Sequence, residues 1–179
     1  MPTEIPPRPR DATGAHVELV EDLIQQVTTR LLDPLAILLD DDAITGICER
    51  TRIDAEVWAA QLLGGDEHRA TETATRLIAA LFADDQVFDP QPRWWATPFG
   101  RAVLHSIGHP AREHVTFAAA GAMLGISRQG VHDLLTRDKL QRHPDGGVTT
   151  ASIRARSIQR NPPHAKPAPA SRSSTCPSP

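Results

Sequence analysis

FAAAGAMLGISRQGVHDLLT, residues 117–136, is the stretch whose reading decides the fold. Gly121 stands where two short helices cross, and a larger side chain there would hold their axes apart. Four residues on, Gly125 supplies a left-handed backbone at the end of the first helix, a conformation cheap only for glycine. Ser127 is placed to cap the second helix by accepting a bond from a free backbone N–H. Ala120, Leu124, Ile126, Val131 and Leu134 fall where a shared core needs apolar groups. The pattern predicts a helix-turn-helix whose second helix runs from Arg128 to about Arg137.

Downstream, Lys139 to His143 leads into Pro144-Asp145-Gly146-Gly147 and then Val148-Thr149. Asp-Gly between short extended runs predicts a hairpin turn. Thr149 or Thr150 then caps a last helix, with Ile153 and Ile158 inside and Arg154, Arg156 and Arg160 outside. Helix, helix, short β-wing and helix make a winged arrangement. Upstream, Thr97-Pro98 reads as a cap followed by proline at the first helical position. That helix carries Phe99, Val103, Leu104 and Ile107, and Gly108-His109-Pro110 stops it.

The N-terminal half reads as a small helical bundle. Residues 1–14 hold four prolines and no apolar periodicity, which predicts a disordered arm. From Ala15, Val17, Val20, Ile24, Val27 and Leu31 repeat at spacings of three and four until Asp33-Pro34 ends the run. Two heptads are short for a coiled coil, so a core helix is the reading. Leu35 to Leu39 is a short apolar run that gives one further helical stretch. Asp40, Asp41 and Asp42 lack the alternation and glycine of a calcium loop, and read as acids opposing the positive end of a helix from Ala43. Ile44 to Leu62 has a second helix-turn-helix look, with Ile53-Asp54 as turn and cap. It lacks a turn glycine and would turn Asp54 and Glu56 to phosphates, so it reads as a helical pair inside the bundle. Gly64-Gly65 breaks the chain, and Asp66 opens a helix with Ala70, Ala74, Leu77, Ile78, Leu81 and Phe82 on one stripe. Residues 89–97, DPQPRWWAT, read as a linker whose two tryptophans pack one part on another.

The resulting division is a disordered arm (1–14), an acidic helical bundle for dimerisation or partner binding (15–88), a linker (89–97), a winged helix-turn-helix domain (98–160) and a disordered proline-rich tail (161–179). The expected class is mainly α, with a short β-hairpin wing.

Length and charge bound the function. A chain of 179 residues holds one medium domain or two small ones. The formal charge of −3 hides an asymmetry. Residues 1–97 hold 8 Lys+Arg and 18 Asp+Glu, whereas residues 98–160 hold 9 and 4, so the halves carry −10 and +5. Only the C-terminal half suits a polyanion. Two cysteines far apart, Cys48 and Cys176, argue against a disulfide framework and for an intracellular chain. No apolar run approaches the roughly 18 residues of a membrane span, and MPTEIPPRPR has no apolar stretch of a secretory signal. Arginine outnumbers lysine 17 to 2, which points to a GC-rich bacterial genome. A cytoplasmic, nucleoid-associated protein is expected.

The chemistry is concentrated on the second helix of the motif. Val131, Leu134 and Leu135 fix its buried face, which leaves Arg128, Gln129, His132 and Asp133 exposed. Near the start of such a helix, Arg grips guanine and Gln grips adenine, each bidentate. His132 is placed for a base edge or a phosphate. Arg137 and Lys139 suit backbone phosphates, Arg142 with His143 in the wing suits phosphate or a minor groove, and Ser127 is counted with them among the DNA-binding residues. Gly130 keeps the backbone close to the groove or simply weakens the helix.

Thr116, Ala118 to Ala120, Leu124-Gly125-Ile126-Ser127-Arg128, Leu140, Gly146-Gly147 and Thr149 together resemble the winged helix-turn-helix of excisionase and MerR-like proteins. The resemblance covers residues 116–153 and implies a double-stranded DNA-binding domain. Other constellations are weak. His105, His109 and His114 have spacings open to a metal, but the Gly-His-Pro stop breaks their common face. Gly64-Gly65 lacks the Lys-Ser/Thr of a phosphate loop. No enzyme, cofactor or metal is expected. The expectation is a homodimeric bacterial transcriptional regulator, since one recognition helix covers only a few base pairs. The alternatives are a phage or plasmid accessory protein for excision or partition, and an adaptor whose helix-turn-helix docks on protein.

Overall fold

The computed structural model describes residues 12–83 and 88–160. The tail expected over 161–179 lies outside them, as does most of the arm. Residues 12–14 already belong to the first helix. The chain is mainly helical, with one small antiparallel sheet.

α1 (Ala12–Val27) does not end at Asp33-Pro34 as expected. It widens into a π turn over Thr28–Leu32, in which the Asp33 N–H donates to the Thr28 carbonyl, and runs on into α2 (Asp33–Leu35). The wider turn accommodates a proline that has no N–H to give and would crowd a tighter helix. Its buried face is Leu19, Val20, Leu23, Val27 and Leu32, while Val17 and Leu31 lie exposed at the edge. Residues 36–40 form a turn instead of a further helical stretch, with Ile37 and Leu38 in solvent.

α3 (Asp41–Leu63) is one continuous helix, so the helical pair expected over Ile44 to Leu62 is corrected. Asp54 does not cap a new helix because its carboxylate accepts from Arg50 Nε at 3.1 Å, one turn back on the same helix. The actual cap is Asp40, which accepts from Ala43 N at 2.8 Å. Asp66 caps α4 (Glu67–Leu81) in the same way, accepting from Arg69 N. The α4 stripe is buried as expected, apart from a half-buried Phe82.

α5 (Pro98–Ile107) is capped by Thr97 and buried on almost every side, through Phe99, Ala102, Val103, Leu104 and Ser106. It packs against α1, α3 and α4 as well as α8 (Thr150–Arg160). A carboxylate from α1 binds its positive end: Asp22 accepts from Phe99 N at 2.8 Å. The segment expected as a linker contains a 3-10 turn, Pro92–Ala96, with Trp94 and Trp95 buried. Gly100 lets that turn lie directly on α5, because a Cβ there would overlap the Trp94 carbonyl. The chain has only four Phe and three Trp, and five of these seven, Phe82, Phe88, Trp94, Trp95 and Phe99, meet edge-to-face here. Scarce large side chains are thus spent in one place, and the buried residues from Leu19 to Ile153 form one contiguous cluster.

Two histidines beside this core bear on pH. Burial lowers the His109 imidazole below its ordinary 6.5, aided by Arg112 and opposed by Asp89. Burial likewise lowers His105, against a backbone hydrogen bond at Ser157 and with a smaller push from Arg154. The unfolded chain therefore takes up these protons at higher pH than the folded one. Their contribution to stability is full above 6.5 and is lost as pH falls through the depressed folded values. The denaturant midpoint should fall between about pH 7 and pH 5, and His109→Asn should reduce that slope. An unchanged slope would assign the dependence to other groups.

Candidate nucleic-acid interface

The C-terminal elements follow the local chemistry of the opening motif. α6 (Phe117–Leu124) is capped by Thr116, which accepts from Ala119 N, and ends at Gly125 in the left-handed region. α7 (Arg128–Thr136) is capped by Ser127, which accepts from Gly130 N at 3.1 Å. The two helices pack with Ala120, Leu124 and Val131 buried between them and Ile126 and Leu134 half-buried. A Cβ on Gly121 would lie 2.8 Å from the Ile126 carbonyl, so this close approach needs glycine. Gly130 has no such neighbour, and nothing in its surroundings demands glycine.

The small sheet is built differently from a plain hairpin. β2 (Val148–Thr149) pairs with β1 (His114–Val115), which precedes α6. The expected hairpin arm contributes a single bridge, Arg142 to Val148, with flanking bonds from His143 N to Gly147 O and Thr149 N to Gln141 O. Thr150 ties the sheet to the start of α8 by donating to the carbonyls of Arg112 and Glu113. The Thr149 hydroxyl bonds to Ser152 Oγ at 3.0 Å within the first turn.

Arg128 lies at the start of α7 and lines an open concavity shared with Thr116, Phe117 and the turn Asp145 to Gly147. Gln129 is exposed, but its amide donates to Asp133 at 3.2 Å along its own helix. His132 is half-buried, contrary to the exposed position expected, because its ring lies 4.8 Å from that of Phe117. Arg142, in the bridge to Val148, reaches the same ring, 5.3 Å from its centroid. Phe117 thus holds one side chain from α7 and one from the segment before β2 together. The sequence reading missed it, since the two contacts lie far from it along the chain. Arg137 and Lys139 are exposed just beyond α7. Asp138 between them takes φ +53°, and Lys139 N donates to Leu134 O to close the helix.

The three spaced histidines part company. His105 is half-buried on α5, His109 lies buried just after it against Phe88 and Trp95, and His114 stacks on His143 at 4.1 Å. Among the described residues no three His, Cys, Asp or Glu side chains converge on a metal position.

The cations of this half divide by use. Arg101, Arg112 and Arg154 bind Glu18, Asp89 and Glu67, all acids of the N-terminal half. Arg160 donates to the Leu124 carbonyl at the end of α6, and Arg156 to Gln159. Arg128, Arg137, Lys139 and Arg142 form no ion pair among the described residues. These four side chains bond to no acid and no hydrogen-bond acceptor among the described residues, whereas Arg156 and Arg160 are held by neutral acceptors. None of the described helices is long and apolar enough to cross a membrane. The chain matches no known protein family, no curated protein and no solved structure.

Proposed function

We propose that this chain is a sequence-specific double-stranded DNA-binding protein, a bacterial transcriptional regulator acting as a homodimer. In this reading residues 98–160 act as a winged helix-turn-helix of the excisionase and MerR-like kind, and α7 enters the major groove. The division of cations carries the reading. Those of the C-terminal half that face the bundle neutralise its acids, and the four from Arg128 to Arg142 remain unpaired around α7 and the wing. An excision or partition accessory role would use the same surface.

Arg128 and Gln129, at the start of α7, are the base readers, with Gln129 giving up or sharing its bond to Asp133. Ser127, Arg137 and Lys139 contact backbone phosphates, and Phe117 orients His132 and Arg142 towards the same strand. Binding to random and genomic duplexes across a salt series tests this. Affinity for both should fall steeply with salt, with the specific target retained longest. Weak binding at every salt concentration would favour an adaptor whose helix pair docks on protein. Arg128→Ala should cost about 1–3 kcal/mol on the specific site and relax preference at one base pair. Unchanged affinity and preference would remove Arg128 from the contact surface.

A further inference from the structure

We propose that Asp133 is a specificity-determining residue of α7, which fixes the amide of Gln129 so that its free edge matches adenine and rejects guanine. Asp133 is the one acid on α7, and it is exposed, as Arg128 and Gln129 are. A carboxylate on a surface that meets phosphates lowers affinity, so attraction to DNA does not account for it. Arg137 stands one turn on, yet Asp133 forms no ion pair with it or with any other cation among the described residues. Its carboxylate accepts instead from Gln129 Nε2 at 3.2 Å, one turn back. A bond at this spacing gives a helix only slight support, and α7 is already held by the Ser127 cap and the buried Val131.

The chemistry of this bond decides what Gln129 can read. An ionised carboxylate only accepts, so the amide must turn its nitrogen, and not its oxygen, towards Asp133. With one N–H taken, the amide keeps one N–H and its carbonyl oxygen, a single donor beside an acceptor. Adenine offers the complementary pair in the major groove, an N6 amino group that donates and an N7 that accepts. Guanine offers two acceptors, O6 and N7, and needs two donors. A Gln129 held by Asp133 cannot spend both N–H groups on guanine, and its carbonyl oxygen would face a guanine acceptor. Released from Asp133, the amide has both N–H groups free and can turn over, so guanine becomes acceptable. The role rests on the DNA-binding reading of α7 and sharpens it: Gln129 shares its amide between Asp133 and an adenine in the bound site.

Selection of bound duplexes from a randomised pool tests the assignment, followed by titration of the selected site and its adenine-to-guanine substitutes across a salt series. The full-length wild type should prefer adenine about tenfold at one position of each half-site, and Gln129→Ala should abolish that preference. Asp133→Ala should reduce it to about twofold, chiefly through tighter binding to the guanine duplex, with helical content and unfolding midpoint near wild type. Asp133→Glu keeps an acceptor-only group and should retain the preference. Adding Asp133→Ala to Gln129→Ala should change base preference no further, because Asp133 acts through Gln129. In the free chain, one side-chain amide proton of Gln129 should resonate downfield of its position in Asp133→Ala. Three results would overturn the role of Asp133 and leave the DNA reading standing. They are steep salt dependence without an adenine preference set by Gln129, an undiminished preference in Asp133→Ala, and an effect of Asp133→Ala that persists without Gln129. Binding that is weak at every salt concentration would overturn the DNA reading, and the role of Asp133 with it.

Discussion

Replacing Arg128, Arg137, Lys139 and Arg142 together by alanine should lower affinity for duplex DNA on the order of a thousandfold at about 0.1 M salt. Each cation that meets a phosphate releases a counterion, and each contact adds close to one unit to the slope of log affinity against log salt. Four such groups per chain should therefore flatten the slope by about three to four units per chain. The variant is a clean probe because none of the four holds the fold through an ion pair. Arg142 alone loses a packing contact, that with the Phe117 ring. The matched control is Arg101→Ala, Arg112→Ala and Arg154→Ala, which removes three cations bound to Glu18, Asp89 and Glu67. It should lower the unfolding midpoint and leave the salt slope nearly unchanged. Equal slopes for the wild type and the four-site variant would move the polyanion surface away from α7.

Gly147→Ala should destabilise the fold by about 3 kcal/mol or more, the largest effect expected from adding one methyl group. Two costs coincide at this position. The backbone holds φ +81°, a region where L side chains are strained. A Cβ would also overlap the Val115 carbonyl, which belongs to the strand paired with β2. Relief requires β1 and β2 to separate, which pulls on Thr150 and its two bonds to the chain before β1. Gly146 next door isolates the first cost: its φ is +100° and nothing lies within 4 Å of an added Cβ. Gly146→Ala should cost only about 1 kcal/mol. Urea unfolding of the two variants side by side checks the pair, and similar midpoints would mean that the Val115 carbonyl yields.

The local grammar of residues 117–136 was legible because each requirement there is met by a near neighbour. Gly125, Ser127 and Thr97 stand where they were read, since a cap or a left-handed turn involves only a few consecutive residues. Faces of long helices were less legible. The periodicity of α1 was right, yet its core side is Leu19 and Leu23, with Val17 and Leu31 at the margin. Spacing identifies a stripe, whereas burial depends on which helices flank it. Ile53-Asp54 imitated a turn and cap because Asp is a favoured N-cap, but no glycine or proline breaks the chain there, and Asp54 bonds to Arg50 one turn back within the helix. For the candidate interface, the sequence offered residues without showing how they group. The partners that occupy Arg101 and Arg154 lie 83 and 87 positions away, so charge counting gave the net sign without showing which cations remain free.

α8 links the two ends of the molecule more directly than the chain does. Arg154 on its first turns grips Glu67 at the head of α4 and the His105 carbonyl of α5, while Arg160 at its far end holds the Leu124 carbonyl. That carbonyl is three residues before the cap of α7. The helix works as a tie rod, stiff along its axis and pinned at both ends. The heading of α7 is therefore set by the bundle, with little slack from an intervening hinge. If two chains pair as proposed, the separation and angle of their two α7 helices become properties of the surface that joins the bundles. A shift of α4 would therefore be carried along α8 to the end of α6 and so to α7, without contact at α7 itself.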